Sequence, residues 1–353
     1  MSQRTRVLRV DPVSPEADAI AIAGRAIRAG GLVAFPTETV YGLGANALDE
    51  AAIAKIFAAK SRPASDPLIV HIARFEQLPQ VAQAIPAGAL ELCRRFWPGP
   101  LTLVLKKAPR IPANLTASLN TVAVRMPNHE VALALLQAAD VPIAAPSANL
   151  FSRPSPTCAR HVIDDLADRV DVVLDGGNTP IGLESTIVSL VEDEPRILRP
   201  GGMSLESLRE ALPNLRYEPS YLADDVMAAP APGAMLRHYS PRARVFLFSG
   251  ADDAEVYAAM RAEIAAHERV GILASDTEAR EFADSDVALE RLGANADEAA
   301  RHLFAALRSL DQQGVDCILA RVPEKRGLGL ALWDRLLRAA VGSLVEVQAA
   351  PGD

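Results

Sequence analysis

The chain has 353 residues, which is more than one ordinary core holds, so its length predicts two globular domains. Hydrophobic residues make up 50% and charged residues 23% of the composition, which excludes a disordered or low-complexity protein. The net charge is −8, carried wholly by residues 246–353, while residues 1–245 sum to zero; this argues against a surface that coats nucleic acid and places any anion-binding site in the N-terminal two thirds.

The N-terminal segment lacks the apolar stretch of a signal peptide, and no later run reaches the roughly 18 apolar residues of a membrane span. We therefore expect a cytoplasmic protein with no membrane partner. Cys93, Cys158 and Cys317 are far apart and form no CxxC motif, so they indicate neither a disulfide framework nor a structural zinc site. We expect each to be a small buried hydrophobic residue.

Helical and strand patterns alternate over the first 200 residues, which predicts an α/β layer fold. The segment "EADAIAIAGRAIRAGG" has apolar positions at helical spacing and ends at Gly30 and Gly31, and the strand "LVAFP" follows it. Further helices are predicted at "DEAAIAKIFAAK", "GALELCRRFW" and "EVALALLQAAD", and further strands at "PLIVHI", "LTLVLKK", "TVAVRMP", "PIAAPSAN", "DVVLDGG", "STIVSLV" and "RILRPGG". Since several neighbouring strands have no helix between them, we expect a mixed sheet.

A change in organisation follows the short helix predicted at 201–210. Periodicity fails between 217 and 244, where proline, alanine and turn formers dominate, which predicts an interdomain linker. A plain spacer does not need the consecutive arginine, histidine and tyrosine at 237–239. From Val245 onward strands and helices alternate cleanly, which predicts a small doubly wound parallel sheet of the Rossmann-like kind.

The stretch "KSRPASDPLIVHI" places Lys60 and Arg62 at the end of a predicted helix, ahead of Pro63 and Pro67. Cations at a helix C-terminus complement the helix dipole, and this alone accounts for their position. The prolines also rigidify the loop, which helps to hold extended cations in fixed directions. Cations held in this way suit a polyphosphate.

Polar clusters also lie at the ends of other predicted strands, in "PTETVYGLG", "TVAVRMP", "APSANLFSRPSPT", "GLESTIV" and "LRPGG". Ligands of open α/β sheets bind where loops converge at strand ends, although serine, asparagine and proline also build ordinary turns. Arg125 follows the apolar run "TVAV", where an unpaired guanidinium would be costly, so it requires a carboxylate partner, either internal or bound.

Common nucleotide-binding motifs are missing from the sequence, since it has no GxxxxGK[ST], and "GLGA" after Tyr41 is not GxGxxG. Gly327 and Gly329 in "RGLGL" open a predicted helix. They could bind an anion through backbone amides, or they could serve close packing between a strand and a helix.

The segments "FPTETVYGLG", "KSRPASDPLIVHI", "FWPGPLTLVL", "VAVRMP", "APSAN", "ESTIV" and "ILRPGG" occur in this order and together resemble the YrdC-type domain of threonylcarbamoyl-AMP synthases. The segment "PGAMLRHYSP" and the acidic C-terminal part resemble the long, two-domain form of that family. The resemblance implies an α/β catalytic domain at 15–205 with a twisted mixed sheet, a linker or active-site lid at 217–244, and a smaller C-terminal α/β domain at 245–348.

The resemblance also implies a reaction in which L-threonine, bicarbonate and ATP form threonylcarbamoyl-AMP and pyrophosphate. The positions that match the family's threonine contacts are Thr39, His71, Arg125, Ala145 and Ser185. The positions that match its ATP contacts are Lys60, Arg62, Asp66, Thr121, Ser147, Ser155, Arg199 and Tyr239. Lys60, Arg62 and Arg199 are the expected catalytic cations, which would offset the triphosphate charge, and Mg²⁺ is expected to accompany ATP with few protein ligands.

Two features qualify this assignment. The family often carries asparagine where this chain has Asp66, and a carboxylate beside phosphates is repulsive unless it contacts a cation, Mg²⁺ or Arg62. Ser147 and Ser185 lack an adjacent base in sequence, so the chemistry is expected to depend on positioning and electrostatics rather than on a covalent intermediate. The segment at 217–244 resembles a lid that would keep water from the carbamate, and a simple tether is its alternative.

The resemblance implies delivery of the product to a tRNA threonylcarbamoyl transferase complex, and we also expect weak binding of tRNA or double-stranded RNA. An RNA-binding module without enzyme activity is an alternative, because YrdC-type domains present a concave basic surface; the zero net charge of residues 1–245 permits a local patch without favouring it. Carbamoyl transfer in hydrogenase maturation is a third interpretation, but proteins of that kind carry paired-cysteine zinc motifs, which this sequence lacks.

Overall fold

The computed structural model describes residues 5–219, 229, 236 and 238–348. The chain divides into two compact units, of which the first comprises Met1–Phe151 with Ser155–Met235 and the second comprises Ser152–Pro154 with Leu236–Asp353. The first unit extends past the predicted bounds 15–205, because a strand before residue 15 joins its sheet. Most of the predicted linker or lid at 217–244 lies outside the described residues.

The first unit alternates strands and helices through its whole length. In chain order it contains β1 (Arg6–Arg9), α1 (Ala17–Arg28), β2 (Val33–Phe35), β3 (Gly42–Asn46), α2 (Glu50–Lys60), β4 (Ile69–His71), α3 (Leu78–Val81), β5 (Ala82–Gln83), α4 (Ala87–Phe96), β6 (Leu101–Lys107), β7 (Thr121–Arg125), α5 (Glu130–Ala139), β8 (Ile143–Ala144), α6 (Ala159–Leu166), β9 (Val172–Asp175), β10 (Thr186–Ser189), β11 (Arg196–Arg199), α7 (Leu205–Ala211) and β12 (Arg216–Tyr217). Short 3₁₀ helices occur at Phe75–Gln77 and Ala113–Thr116.

The described strands of the first unit form one mixed sheet in the order β1-β9-β2-β3-β8-β4-β7-β6-β10-β11-β12, with β5 paired to β6. The pairs β4/β7 and β6/β10 are parallel, whereas β6/β7, β4/β8 and β10/β11 are antiparallel. The mixed pairing predicted from strands without intervening helices is confirmed.

Alternation of side chains along the central strands gives the sheet two different faces. On β4, β7 and β6 the residues Val70, Val124 and Leu103 belong to the large core that α2 and α4 help to build. Their neighbours Ile69 and Ala123 point the other way into a small apolar cluster that includes Val104 and Ile187. The second face is therefore apolar in the middle of these strands, and their polar residues come at the strand ends.

Two helices cover the neighbouring part of that second face. α1 and α5 pack over β2, β8 and β9 through buried residues such as Ile27, Leu135, Phe35 and Ile143. α1 supplies a well-formed apolar stripe for this contact, with Ile20, Ala23, Gly24 and Ile27 buried. Gly24 permits the close approach of the two helices, because a Cβ there would lie 2.9 Å from the backbone of Ala138.

The second unit contains a parallel sheet flanked by helices, which confirms the doubly wound arrangement predicted from Val245 onward. Its elements are β13 (Arg244–Ser249), α8 (Asp253–Ala265), β14 (Val270–Ser275), α9 (Glu278–Glu281), β15 (Ala288–Gly293), α10 (Ala296–Gln313), β16 (Cys317–Arg321), α11 (Gly329–Ala339) and β17 (Leu344–Glu346). The strand order is β15-β14-β16-β13-β17, and every pair is parallel. Across the described parts of the chain, no helix is long and apolar enough to cross a membrane.

Candidate active site

A row of residues in register crosses four strands at one edge of the first unit's sheet. His71 ends β4 and lies opposite Arg125, which ends β7; Arg125 in turn lies opposite Thr102, near the start of β6. Directly opposed residues project from the same face of a sheet, so these side chains lie next to one another. β10 begins beside the start of β6, which brings the preceding Ser185 to the same edge.

Ser185 connects this row to Arg199 at the end of β11. The Ser185 and Thr102 hydroxyl oxygens are 2.8 Å apart, and Arg199 Nη2 donates to the Ser185 carbonyl oxygen at 2.9 Å. The three side chains are buried. Arg199 therefore lies beside the predicted threonine site, where its charge faces the start of β10 rather than open solvent.

Arg125 has an internal carboxylate partner. Its Nη2 lies 2.7 Å from Oε2 of Glu38, and the exposed fractions of the two side chains are only 5% and 6%. This ion pair offsets the cost of burying a guanidinium, which would be prohibitive for an isolated charge. Of the two partners left open by the sequence, the internal one is thus present in the structure.

His71 is buried beside Arg125 and Phe35, with its ring edge-on to the phenyl ring at a centroid distance of 6.3 Å. Burial lowers the pKa of His71 to about 3, and the positive charge of Arg125 contributes to the shift. The imidazole is therefore neutral at physiological pH. Its Nδ1 atom is buried and has no hydrogen-bond partner among the residues that the structure describes.

Thr39 and Ala145 frame the row from two neighbouring loops. Thr39 follows β2 and its hydroxyl oxygen is 2.8 Å from that of Thr37. The backbone amide of Gly182 donates to the Thr39 carbonyl oxygen, which ties this loop to the segment that leads into Ser185. Ala145 follows β8, and its amide donates to the carbonyl oxygen of Ile69 on β4. The fold thus gathers the five predicted threonine positions around the ends of β4, β7 and β8 and the start of β10.

Lys60 lies at the C-terminus of α2 and is almost wholly buried. Its Nζ donates to the carbonyl oxygens of Ser147 and Asn149 at 2.5 Å each. Lysine here holds the loop after β8 against α2, and it places a positive charge beside Ser147. The backbone of Ser147 itself pairs with Gly42 of β3.

Arg62 and Asp66 form a second buried ion pair, with Nη2 and Oδ2 2.9 Å apart and side-chain exposed fractions of 3% and 0%. Arg62 also donates to the carbonyl oxygens of Asp66 and Pro67 at 3.1 and 2.8 Å. Left-handed Ser61 ends α2 and turns the chain into this loop. Of the partners considered for Asp66, the structure shows Arg62.

The two remaining predicted ATP positions of the first unit lie at different places, Thr121 at the opposite end of β7 from Arg125 and Ser155 beside Glu184. Thr121 begins β7, four residues before Arg125 and on the same face, which corresponds to about 13 Å along an extended strand. Ser155 is buried and its hydroxyl donates a hydrogen bond to Glu184 Oε1. Glu184 directly precedes Ser185 in the chain, and its carboxylate therefore holds the Ser155 side chain close to Ser185.

Tyr239, the last predicted ATP position, belongs to the second unit. Its ring is buried, stacks on Phe304 at a centroid distance of 5.4 Å and lies 4.9 Å from the guanidinium carbon of Arg335. The residue adopts a left-handed backbone with φ of 60°, and the neighbouring His238 ring lies 4.0 Å away between centroids. The arginine at 237, which drew attention in the sequence, lies outside the described residues.

Two carboxylates belong to this region that the sequence did not assign. Glu38 pairs with Arg125, and Glu184 accepts from Ser155. Both lie inside motifs that were already singled out, and the buried Arg125 demanded a carboxylate. That demand was the signal that could have identified Glu38.

No cluster of three or more histidine, cysteine, aspartate or glutamate side chains able to hold a metal ion occurs among the described residues. The side chains at the predicted phosphate positions are instead cationic. Cationic side chains of this kind suit an anionic ligand.

Comparisons with known proteins find relatives that cover both parts of the chain. Residues 25–201 match a family model described as telomere recombination, of the Sua5, YciO and YrdC type, and residues 203–341 match the threonylcarbamoyl-AMP synthase C-terminal domain. The chain is 48% identical over 334 residues to a threonylcarbamoyl-AMP synthase of Pyrococcus abyssi, covering 93% of this chain and 96% of the relative. It is 41% identical over 336 residues to that of Bacillus subtilis, covering 95% and 96%.

A solved structure is similar over almost the whole chain. The crystal structure of P. abyssi Sua5 complexed with L-threonine superposes with a TM-score of 0.89 at 46% sequence identity. The match covers 97% of this chain and all of that one. The similarity therefore includes both domain types, in the same order.

Proposed function

The chain belongs to the Sua5/YrdC family of threonylcarbamoyl-AMP synthases, and on that premise we propose that it condenses L-threonine, bicarbonate and ATP into threonylcarbamoyl-AMP and pyrophosphate. The observation that carries the proposal is the buried Arg125 at the edge of the sheet, beside neutral His71 and Ser185. A guanidinium in such a place suits the α-carboxylate of an amino acid, which it can bind through two hydrogen bonds. The relative's complex with L-threonine supports the same substrate.

The proposed chemistry has two steps. The threonine amine attacks the carbon of bicarbonate, and loss of water leaves a carbamate. A carbamate oxygen then attacks the α-phosphorus of ATP, and pyrophosphate leaves with the electrons of the broken bond between phosphorus and oxygen. Lys60, Arg62 and Arg199 would offset charge that moves onto the leaving group.

Several features support a mechanism based on positioning and electrostatics. Ser185 contacts Thr102 and Arg199, and Ser155 contacts Glu184, so both hydroxyls are engaged in fixing the site. We propose that the enzyme forms no covalent intermediate and that Mg²⁺ enters bound to the phosphates of ATP, where it would supply charge neutralisation. Thr121 and Ser147 would contact the nucleotide, and Asp66 would act on it through Arg62.

The wider setting is also part of the proposal. The activated carbamoyl group would pass to the adenosine next to the anticodon of tRNA, through a downstream threonylcarbamoyl transferase complex, with only weak direct binding of RNA. The enzyme would work in the cytoplasm. We further propose that the segment at 217–244 closes over the site, with Tyr239 contacting ATP, and that this closure keeps water from the carbamate.

Pyrophosphate release tests the proposed function directly. The full chain is incubated with ATP, Mg²⁺ and bicarbonate, with and without L-threonine, and pyrophosphate is measured by a coupled assay. We expect release that requires both L-threonine and bicarbonate. Release that continues unchanged without threonine would exclude the proposed reaction.

A further inference from the structure

Glu38 is a buried carboxylate whose hydrogen-bonding capacity is not filled. Its side chain is 6% exposed, and neither carboxylate oxygen accepts a hydrogen bond from any residue that the structure describes. The close approach of Arg125 Nη2 to Oε2 is an ion pair without favourable hydrogen-bond geometry, since Nε and Nη2 of Arg125 likewise donate to no described acceptor. Buried charges are normally satisfied by several hydrogen bonds, so both partners present unused capacity at the same place.

The position of Glu38 is fixed by the backbone on both sides. Its carbonyl oxygen accepts from the amide of Ile181, and the Thr37 and Thr39 hydroxyls hold the turn around it. The negative charge of Glu38 also acts on His129 and favours its protonated form, but burial is the larger effect and lowers the pKa of His129. The Nδ1 atom of His129 accepts a hydrogen bond from the Val131 amide and caps α5. Among the described residues, the cation in contact with the Glu38 carboxylate is Arg125.

The two unused capacities match the two charged groups of a free α-amino acid. Its carboxylate offers acceptors to Arg125, and its ammonium brings three N–H donors that Glu38 lacks. These groups are attached to one carbon, about 3 Å apart, a spacing similar to the contact between Arg125 and Glu38. Neutral His71 adds no competing positive charge beside the ammonium.

We propose that Glu38 is the residue that binds the α-ammonium group of the amino-acid substrate and orients it while Arg125 holds the carboxylate. This inference rests on the proposed function, because it concerns the same substrate. It assigns Glu38 a specificity role, because the site would select an amino acid over the same molecule without its α-ammonium group. The alternative is that Glu38 serves only to neutralise buried Arg125.

The experiment compares two ligands that differ in the amine alone. Binding of L-threonine and of (R)-3-hydroxybutanoate, which lacks the α-ammonium, is measured by titration calorimetry on the wild type and on the Glu38→Gln, Arg125→Lys and Asp171→Asn variants. Asp171 is a matched control, because it is a partly buried carboxylate of the same unit that accepts from the Leu32 amide at 2.7 Å, outside the row of site residues.

We expect Glu38→Gln to weaken L-threonine binding about 10- to 100-fold, the range for losing a hydrogen bond to a charged group, and to change 3-hydroxybutanoate binding less than about threefold. Arg125→Lys should weaken both ligands, and Asp171→Asn should leave the ratio of the two affinities unchanged. Equal effects of Glu38→Gln on the two ligands would mean that Glu38 only supports Arg125, and would overturn the inference.

Two further measurements guard against loss of folding. If Glu38→Gln fails to fold, Glu38→Asp keeps the charge but withdraws it by one methylene, and should weaken L-threonine more than 3-hydroxybutanoate. The wild type itself should prefer L-threonine to 3-hydroxybutanoate by at least about tenfold, and equal affinities would overturn the inference while leaving the proposed function intact. A wild type that binds no L-threonine would instead overturn the proposed function, and the inference with it.

Discussion

Replacing Asp66 by asparagine removes one partner of the buried pair with Arg62 and leaves the shape of the side chain almost unchanged. The two groups are 2.9 Å apart with exposed fractions of 3% and 0%, so water cannot replace the lost charge. Breaking such a pair costs about 3 to 5 kcal/mol, and the remaining bonds of Arg62 to the Asp66 and Pro67 carbonyls place this case near 3 kcal/mol. For a unit of this size, that cost corresponds to a fall in melting temperature of about 6 to 12 °C.

Calorimetric unfolding of the full chain measures this effect, and Asp164→Asn is its matched control. Asp164 pairs with Arg160 across the same four-residue spacing, but the exposed fractions of that pair are 25% and 79%. An exposed pair contributes at most about 1 kcal/mol, so the control should melt within about 4 °C of the wild type. If Asp66→Asn and the control melted together, while Asp66→Asn raised the KM for Mg-ATP more than about tenfold, Asp66 would be acting on the nucleotide or its metal rather than on Arg62.

Three further results are expected. Arg125→Ala should raise the KM for L-threonine at least about tenfold and the KM for ATP much less in steady-state kinetics, and equal increases would remove Arg125 from the carboxylate. The pKa of His71 is near 3 in the folded chain and 6.5 when unfolded, so the unfolded state binds the proton first and the free energy of unfolding falls as pH drops from 7 toward 3. Between pH 7 and 5 this loss is about 2 kcal/mol. The urea midpoint of His71→Gln should therefore fall less over this pH range than that of the wild type, and an equal fall in both proteins would contradict the prediction. Gly329→Ala should destabilise the second unit by about 1 kcal/mol or more, because its Cβ would lie 2.0 Å from the Glu324 carbonyl oxygen, and a variant as stable as the wild type would favour anion binding over close packing in this turn.

Strong periodicity predicted most of the fold, and glycine concealed part of it. The apolar spacing of α1 and the alternating runs of β6 and β7 identified those elements in the sequence. β3 was missed, because "GLGAN" has the composition of a turn. Gly44 is required there by packing, since a Cβ would lie 2.8 Å from Ile143 and 2.9 Å from Phe35. Such a close approach depends on residues far along the chain, which local pattern does not reveal.

Short and exposed elements were not predicted from the sequence for a different reason. β1 has only four residues with little burial, and it becomes a strand because it pairs with β9 more than 160 residues later. α6 has eight residues and its apolar positions include Val162 and Leu166, which is too short a pattern to distinguish from a loop. Tertiary pairing, rather than local propensity, decides both elements.

The residue types of the site followed from sequence, whereas their pairings did not. Burial of Arg125 after an apolar strand predicted that it needed a carboxylate, but nothing local indicates that Glu38, 87 positions earlier, supplies one. Lys60 was assigned to phosphate from its charge and its loop, and the structure adds that its ammonium also holds the carbonyl oxygens of Ser147 and Asn149. These contacts arise only when loops distant in sequence meet at one edge of the sheet.

Identification of the reaction product distinguishes threonylcarbamoyl-AMP synthesis from any other consumption of ATP by the protein. Full-length protein is incubated with L-threonine, ATP, Mg²⁺ and ¹³C-bicarbonate, and the nucleotides are analysed by mass spectrometry without delay. We predict threonylcarbamoyl-AMP with one ¹³C in its carbamoyl carbon, formed in proportion to pyrophosphate. Pyrophosphate or AMP without that labelled adduct, under conditions in which a synthetic standard survives, would contradict the proposed reaction.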